Sequence, residues 1–253
     1  MDIAAHTFVV TGAARGLGLA IAQSLAAQNA NVMLADMDGP TLETALASMP
    51  ENTGKQSSIV ANVADETDVK ALFDAAEAEL GPVSGLVNNA GILRDGMLVK
   101  VKDGEVVDRM SLDLWQSVID VNLTGVFLCG REAAERMIVS GQQGVIINIS
   151  SISRAGNTGQ SNYAAAKAGV VALSTTWAKE LARYGIRSAS IAPGVFETEM
   201  VASMKPEAKA RFVGMIPAKR TGAVEELADA VNFIIKNDYY TGRVMELDGG
   251  LRI

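Results

Sequence analysis

Short β-branched runs alternate with amphipathic stretches from one end of this chain to the other, and that alternation limits its fold more than any other feature. Strands are expected at Thr7–Thr11, Asn31–Asp36, Ser57–Asn62, Gly85–Asn88, Val145–Ser150, Arg187–Ala192 and Arg243–Leu247. Helical periodicity covers Gly18–Gln28, Glu66–Leu80, Leu114–Val139, Tyr163–Tyr184 and Val224–Lys236. Runs such as Phe8-Val9-Val10 and Val145-Ile146-Ile147 are apolar on both strand faces, so helices must cover a parallel sheet from above and below. Right-handed crossovers make this a single α/β domain with a doubly wound sheet of about seven strands, whose ligand site lies at the carboxyl ends of the strands. No repeat or linker interrupts the pattern.

Composition removes several function classes. The 253 residues are 49% hydrophobic and 20% charged, which is a globular balance able to bury a sizeable core. A net charge of −7 without a basic stripe argues against nucleic acid or an anionic membrane as partner. One cysteine, Cys129, excludes an intrachain disulfide and fits a reducing compartment. With His6 as the single histidine, neither a His/Cys zinc site nor a Ser-His-Asp triad is credible, and no metal is expected. The N-terminal segment lacks a basic and apolar leader, and no apolar run approaches membrane-spanning length. A soluble, cytoplasmic protein is the expectation.

The turn after the first strand reads Thr11-Gly12-Ala-Ala-Arg15-Gly16-Leu17-Gly18. Glycines there let the backbone approach a pyrophosphate, and the following helix offers unpaired N–H groups to it. Placed directly after an N-terminal strand, the turn points to a Rossmann-like dinucleotide site rather than a plain helix start. Asp36 ends the second strand, where a carboxylate can accept from adenosine ribose hydroxyls and repel a 2′-phosphate. NAD is therefore favoured over NADP, with Arg15 as the dissenting residue because it could pair with a phosphate. Asp36 could instead cap a helix beginning near Pro40. Asn62-Val63 and Asn88-Asn89-Ala90-Gly91 bring two more strand ends to the same edge. Asn88 either bonds adenine or ties neighbouring strands together.

Tyr163 and Lys167, four residues apart, share a helix face, so the ammonium can act on the phenol and the pair suggests a proton donor. The spacing alone also describes many solvated pairs. Taken with the glycine turn, Asn88-Asn89-Ala90-Gly91, Asn122, Ser150-Ser151, Pro193-Gly194 and Asp248-Gly249-Gly250, however, it resembles the short-chain dehydrogenase/reductase family over essentially the whole chain. The nearest members are the 3-oxoacyl-acyl-carrier-protein reductases and related secondary-alcohol and hydroxyacyl-thioester dehydrogenases. The resemblance implies that Tyr163 is the general acid for carbonyl reduction and the base for alcohol oxidation. It gives Lys167 to the nicotinamide ribose and to lowering the phenol's pKa, a serine to the substrate oxygen, and Asn122 to a water chain. It also assigns the backbone of Pro193, Gly194 and Val195 to the nicotinamide carboxamide, and Thr198 to the amide or pyrophosphate. Thr198 could instead cap a helix.

Two positions depart from the pattern. Reading forward from the strand makes Ser151 the catalytic serine, whereas the family's commoner spacing back from Tyr163 lands on Ser150; a loop shortened by one residue favours Ser151. The stretch from Gly91 to Asn122 is longer than the reductases require, and Val99-Lys-Val-Lys-Asp103-Gly104-Glu-Val-Val107 reads as an inserted hairpin near 97–110. That hairpin either borders the substrate mouth or decorates a surface or subunit contact. A second loop near 195–220 carries Met200, Met204, Phe212 and Met215 and suits a lid over an apolar substrate, or simple gap filling. The helices 114–139 and 163–184 resemble those that family members use to form homotetramers or homodimers. The expected activity is an oxidoreductase acting on a ketone or secondary alcohol, 3-oxoacyl thioesters included. The contrasting class is a dinucleotide-sensing protein without turnover, which would have no physical need for a proton donor.

Overall fold

Burial on both faces dictates the sheet. In the computed structural model, which describes residues 1–51, 54–203 and 205–252, seven parallel strands form one sheet. They are β1 (Thr7–Thr11), β2 (Asn31–Asp36), β3 (Gln56–Val60), β4 (Val83–Asn88), β7 (Gly144–Ile149), β8 (Ile186–Pro193) and β9 (Val244–Leu247), in the order β3-β2-β1-β4-β7-β8-β9. Strand side chains alternate between faces. Phe8 and Val10 therefore enter a core with Ile21, Leu25, Val231 and Ile234, while Val9 enters another with Leu72, Phe73 and Met137. The first core is covered by α1 (Gly16–Ala26), α2 (Gly39–Ala47) and α9 (Val224–Lys236), the second by α3 (Glu66–Leu80) and α5 (Gly125–Ser140). Each fully buried Leu, Ile or Phe contributes roughly 1.5–3 kcal/mol, so both faces are needed to hold the strand ends in place.

Local signals set the boundaries. Asp65 caps α3 through the Thr67 and Asp68 N–H groups at 2.8 and 3.1 Å, and Asp38 caps α2 through Thr41 at 3.3 Å. The helix expected over 114–139 is α4 (Leu112–Ile119) running into α5 through a π-helical turn at Asp120–Thr124. Such a turn widens a helix by one residue and is commonest at functional sites; here it carries Asn122. The helix expected from Tyr163 is α6 (Ser161–Glu180), followed by a short 3₁₀ turn. Two short helices without strong periodicity, α7 (Glu199–Ala202) and α8 (Pro206–Met215), occupy the loop near 195–220.

Residues 99–109 form an antiparallel hairpin of β5 (Val99–Lys102) and β6 (Glu105–Arg109), outside the main sheet. Asp103 and Gly104 turn it with φ of 52° and 85°, the left-handed pair that an Asp-Gly hairpin turn requires. Every residue of both strands is exposed. The root lies against the start of α6, where the Gly96 N–H donates to the Gly159 carbonyl at 2.8 Å. Among the described residues no helix is long and apolar enough to cross a membrane.

Candidate active site

Two adjoining cavities, of 290 and 740 Å³, open along the carboxyl edge of the sheet and share Arg15, Asn89, Gly91 and Ile92 in their walls. The smaller is lined by Gly12, Asp36, Ala61, Val63 and Ala90, the larger by Gly16, Leu17, Thr198 and Glu199. Their shape follows from the glycine turn. Gly16 has φ of 57°, and a Cβ there would stand 3.7 Å from Thr198 Cγ2, inside the larger cleft. No side chain caps α1, so its first N–H groups remain free for an anion. Gly18 plays a different part. It is buried, and a Cβ on it would fall 2.0 Å from the Gly12 carbonyl oxygen, so it lets α1 pack against the turn. The cradle fits a dinucleotide: a long groove with open helix N–H groups in the middle and a carboxylate at one end.

That carboxylate is Asp36. Its oxygens accept from the Ala14 and Asp38 N–H groups, each at 3.1 Å, which fixes it at the rim of the smaller cavity. The helix cap considered for Asp36 belongs to Asp38 instead. Asp38 also takes the Arg15 guanidinium at 3.1 Å. The hydrogen bond from Thr41 and the nearby Arg15 hold the Asp38 carboxyl below its usual range.

The asparagines divide by role. Asn88 is buried and donates to Asn148 Oδ1 at 2.8 Å, so it ties β4 to β7 and does not reach the cavities. Asn89 donates to the Thr11 and Gly12 carbonyls at 3.1 and 2.9 Å, while the Thr11 hydroxyl accepts from the Asn89 and Ala90 N–H groups. These bonds braid the ends of β1 and β4 into one wall. Asn62 uses its side-chain oxygen on the Ala64 N–H at 3.0 Å, leaving Ala61 and Val63 to line the cavity. Asn122, fully buried on the π turn, grips Ile92 from both sides, accepting from its N–H at 2.8 Å and donating to its carbonyl at 2.9 Å. Its side chain is committed to backbone.

The two serines part ways. Ser150 is buried and donates to the Lys167 carbonyl at 2.8 Å, which pins α6 to the end of β7. Ser151 is the serine close enough to the Tyr163 phenol to favour its ionised form, and its hydroxyl accepts from the Ser153 N–H at 3.1 Å. Beneath them Lys167 is 3% exposed, its Nζ 5.7 Å from the Tyr163 ring centroid and donating to the Ile149 carbonyl at 2.7 Å. A Cβ on Gly91 would stand 3.3 Å from Asn122 Oδ1 and 3.6 Å from this ammonium, so Gly91 runs alongside both groups.

Burial decides the protonation of both groups. It brings the Lys167 ammonium down to about 8. It also raises the Tyr163 phenol, with Asp95 pushing the same way and the Ser151 hydrogen bond opposing. The resemblance implies a phenol lowered by Lys167 together with a positive nicotinamide ring; this chain's own residues alone do not lower it. Desolvation outweighs them.

Pro193 ends β8, and the Gly194 N–H donates to the Leu247 carbonyl at 2.9 Å, where a Cβ would collide with Asp248 Cα at 2.8 Å. The Val195 carbonyl accepts from the Gly222 N–H at 2.9 Å, closing the base of the loop. Thr198 stands at the start of α7, but its hydroxyl makes no capping bond and it lines the larger cleft. Phe212 and Met215 on α8 are exposed, and Met204 lies outside the described residues. Sequence reasoning missed Gln160 and Asp95 as parts of this neighbourhood. Each acts through contacts with distant residues, and a pairing across 65 positions leaves no periodic trace.

The family described as Enoyl-(Acyl carrier protein) reductase matches residues 12–252. The chain is 37% identical to the 3-oxoacyl-(acyl-carrier-protein) reductase of Thermotoga maritima over the full length of both. It is 39% identical to the (3R)-3-hydroxyacyl-CoA dehydrogenase of Rattus norvegicus, covering 96% of this chain and 95% of that protein. A crystal structure provisionally named a gluconate dehydrogenase, from Agrobacterium tumefaciens, superposes with a TM-score of 0.88 at 32% identity, over 98% of this chain and 96% of the other.

Proposed function

The chain belongs to the short-chain dehydrogenase/reductase family, and from that premise we propose how it works as an oxidoreductase on a ketone and secondary-alcohol pair, with Tyr163 as the group that moves the proton. The observation that carries this reading is the Tyr163–Lys167 pair at the start of α6, with the buried ammonium 5.7 Å from the ring centroid and Ser151 beside the phenol. A nicotinamide dinucleotide held in the groove would supply the hydride and, when oxidised, a positive charge. Ser151 and Tyr163 hold the substrate oxygen between two hydroxyls. Because the phenol stays protonated at neutral pH, Tyr163 delivers its proton to the oxygen as a carbonyl is reduced, and takes it back in oxidation. Lys167 lies behind the ring, against Gly91, where its ammonium can bind ribose hydroxyls. Asn122 keeps Ile92 and Gly91 in place around it.

The groove takes NAD in preference to NADP. A 2′-phosphate would meet the Asp36 carboxylate, and Arg15, the nearby cation, is already paired with Asp38. Gly12, Arg15, Gly16, Leu17, Asp36, Val63, Asn89, Ala90 and Gly91 hold the adenosine and pyrophosphate half, with Thr198 beside it in the larger cleft; the family resemblance assigns the turn of Pro193, Gly194 and Val195 to the nicotinamide. Acyl thioesters are a substrate class suggested by the names of the relatives. The site serves a small molecule in a cytoplasmic homotetramer or homodimer, built on the exposed faces of α5 and α6; a monomer by light scattering at micromolar concentration would rule that assembly out.

Tyr163→Phe tests the chemistry. Turnover should fall about 10²- to 10⁴-fold while cofactor affinity is retained. Unchanged turnover would remove Tyr163 from the reaction. For the cofactor, kcat/KM should favour NADH over NADPH, and Asp36→Ala should erode that preference; a wild type that prefers NADPH would refute the reading of Asp36.

A further inference from the structure

Asp95 stands at the root of the hairpin and is bolted to the turn that carries Tyr163. Gln160 Nε2 lies 3.2 Å from both of its carboxylate oxygens. The backbone repeats the link, with Gly96 bridged to Gln160 and its N–H bonded to the Gly159 carbonyl at 2.8 Å. Asn162 adds a third tie by donating to the Arg94 carbonyl at 3.0 Å. Gln160 caps α6 and Tyr163 follows in its first turn, so the carboxylate is fixed relative to the proton donor. Among the described residues Asp95 has no ion-pair partner. Its neighbour Arg94 turns to the Leu93 carbonyl at 2.9 Å, Arg154 is held by Glu246, and the Lys167 ammonium is buried against Ile149. Asp95 is also exposed, so its charge is open to whatever approaches the start of α6.

We propose that Asp95, fixed by Gln160, is a specificity-determining residue: a charge filter that excludes carboxylates close to the reacting carbon. Ketones and alcohols that are neutral there, such as esters, thioesters and hydroxyl-bearing compounds, pass it. Free 3-oxo and 3-hydroxy acids do not. The filter rests on the reading of Ser151 and Tyr163 as the groups that hold the substrate oxygen, because that places an anion two carbons away within reach of the Asp95 field. Gln160, which holds the Asp95 carboxylate, stands three residues before Tyr163 at the start of the same helix. Like charges held a few ångströms apart at a partly solvated site oppose binding by about tenfold or more, and the effect weakens as salt screens it.

The test compares acetoacetate with methyl acetoacetate as substrates with NADH, in the wild type and Asp95→Asn. Asparagine keeps the size and still accepts from Gln160. The ester-over-acid preference in kcat/KM should fall about tenfold in D95N, through a gain on the acid, with the ester changed by less than about threefold. Raising the ionic strength about tenfold should narrow the wild type's preference and leave that of D95N alone, which needs no variant to fold. Calorimetric binding of 3-hydroxybutyrate and its methyl ester to the NADH complex reads the same ratio without turnover. A wild type that prefers the acid, or a ratio unmoved by D95N and by salt, would overturn the filter. A binding ratio that shifts with neither ketone turned over would keep the filter and refute the ketone reading.

Discussion

Lys167 shows what burying an ammonium costs the fold. Its ammonium titrates at about 8 rather than the ordinary 10.5, because it is buried with one carbonyl as its hydrogen-bond partner. Below pH 8 both folded and unfolded chains carry the proton, and the burial cost, roughly 3 kcal/mol, is fully present. Between about 8 and 10.5 the unfolded chain binds a proton that the folded one lacks, so this group's contribution makes stability rise with pH. Lys167→Met should therefore gain most in denaturation midpoint at neutral pH, and the gain should shrink by pH 10; a gain constant from pH 7 to 10 would mean that the ammonium is not desolvated. The serines give a sharper contrast. Ser151→Ala should lower turnover at least about 10²-fold with stability kept, whereas Ser150→Ala should cost about 1–2 kcal/mol of stability for the lost bond to Lys167. Equal losses of turnover in both would remove the distinction.

Elements are held by residues that local patterns do not advertise. Arg187, inside β8, donates to the carbonyls of Ile234, Ile235 and Tyr240, so a strand residue closes the end of α9. Arg187→Ala would leave the Ile234 and Tyr240 carbonyls without this donor, while Ile235 keeps the Met1 ammonium at 3.1 Å, and urea denaturation should show a loss of about 2–3 kcal/mol. A change under about 0.5 kcal/mol would mean that water replaces the guanidinium freely. A second device is the buried ladder from Asn88 through Asn148 and Ser174 to Ser190, with steps of 2.8, 2.8 and 2.6 Å, which links β4, β7, α6 and β8. Each polar group has a partner, so the ladder fixes where α6, and with it Tyr163, sits along the strands.

The whole molecule is one sheet with a hydrophobic core on each face, and the hairpin adds to neither. Replacing residues 99–109 with a short glycine linker should shift the thermal midpoint by only a degree or two, since no core residue is lost. A large drop would show that the exposed strands are covered by another subunit. Cys129, buried with its thiol pushed up to about 12, should resist thiol reagents until the molecule unfolds. Labelling kinetics thus report global opening, and fast labelling of the native protein would place a local opening at α5.

Several levels were legible in the residues alone. Apolar runs of strand length alternating with helical periodicity specify a two-faced parallel sheet, because period and burial are local properties. The glycine turn and Tyr163–Lys167 were readable for the same reason: their chemistry lies within a few consecutive positions. Tertiary structure decided what depends on distance through space. It brought Ser151 rather than Ser150 to Tyr163, gave Asn88 to the strands and not to the cleft, and assigned the helix cap to Asp38. It also set the direction of the Tyr163 phenol, since desolvation is a property of the packed interior that no spacing encodes. Asp95 came to the start of α6 in the same way, through a partner in Gln160 that lies 65 positions along the chain and adjacent only once the sheet has formed.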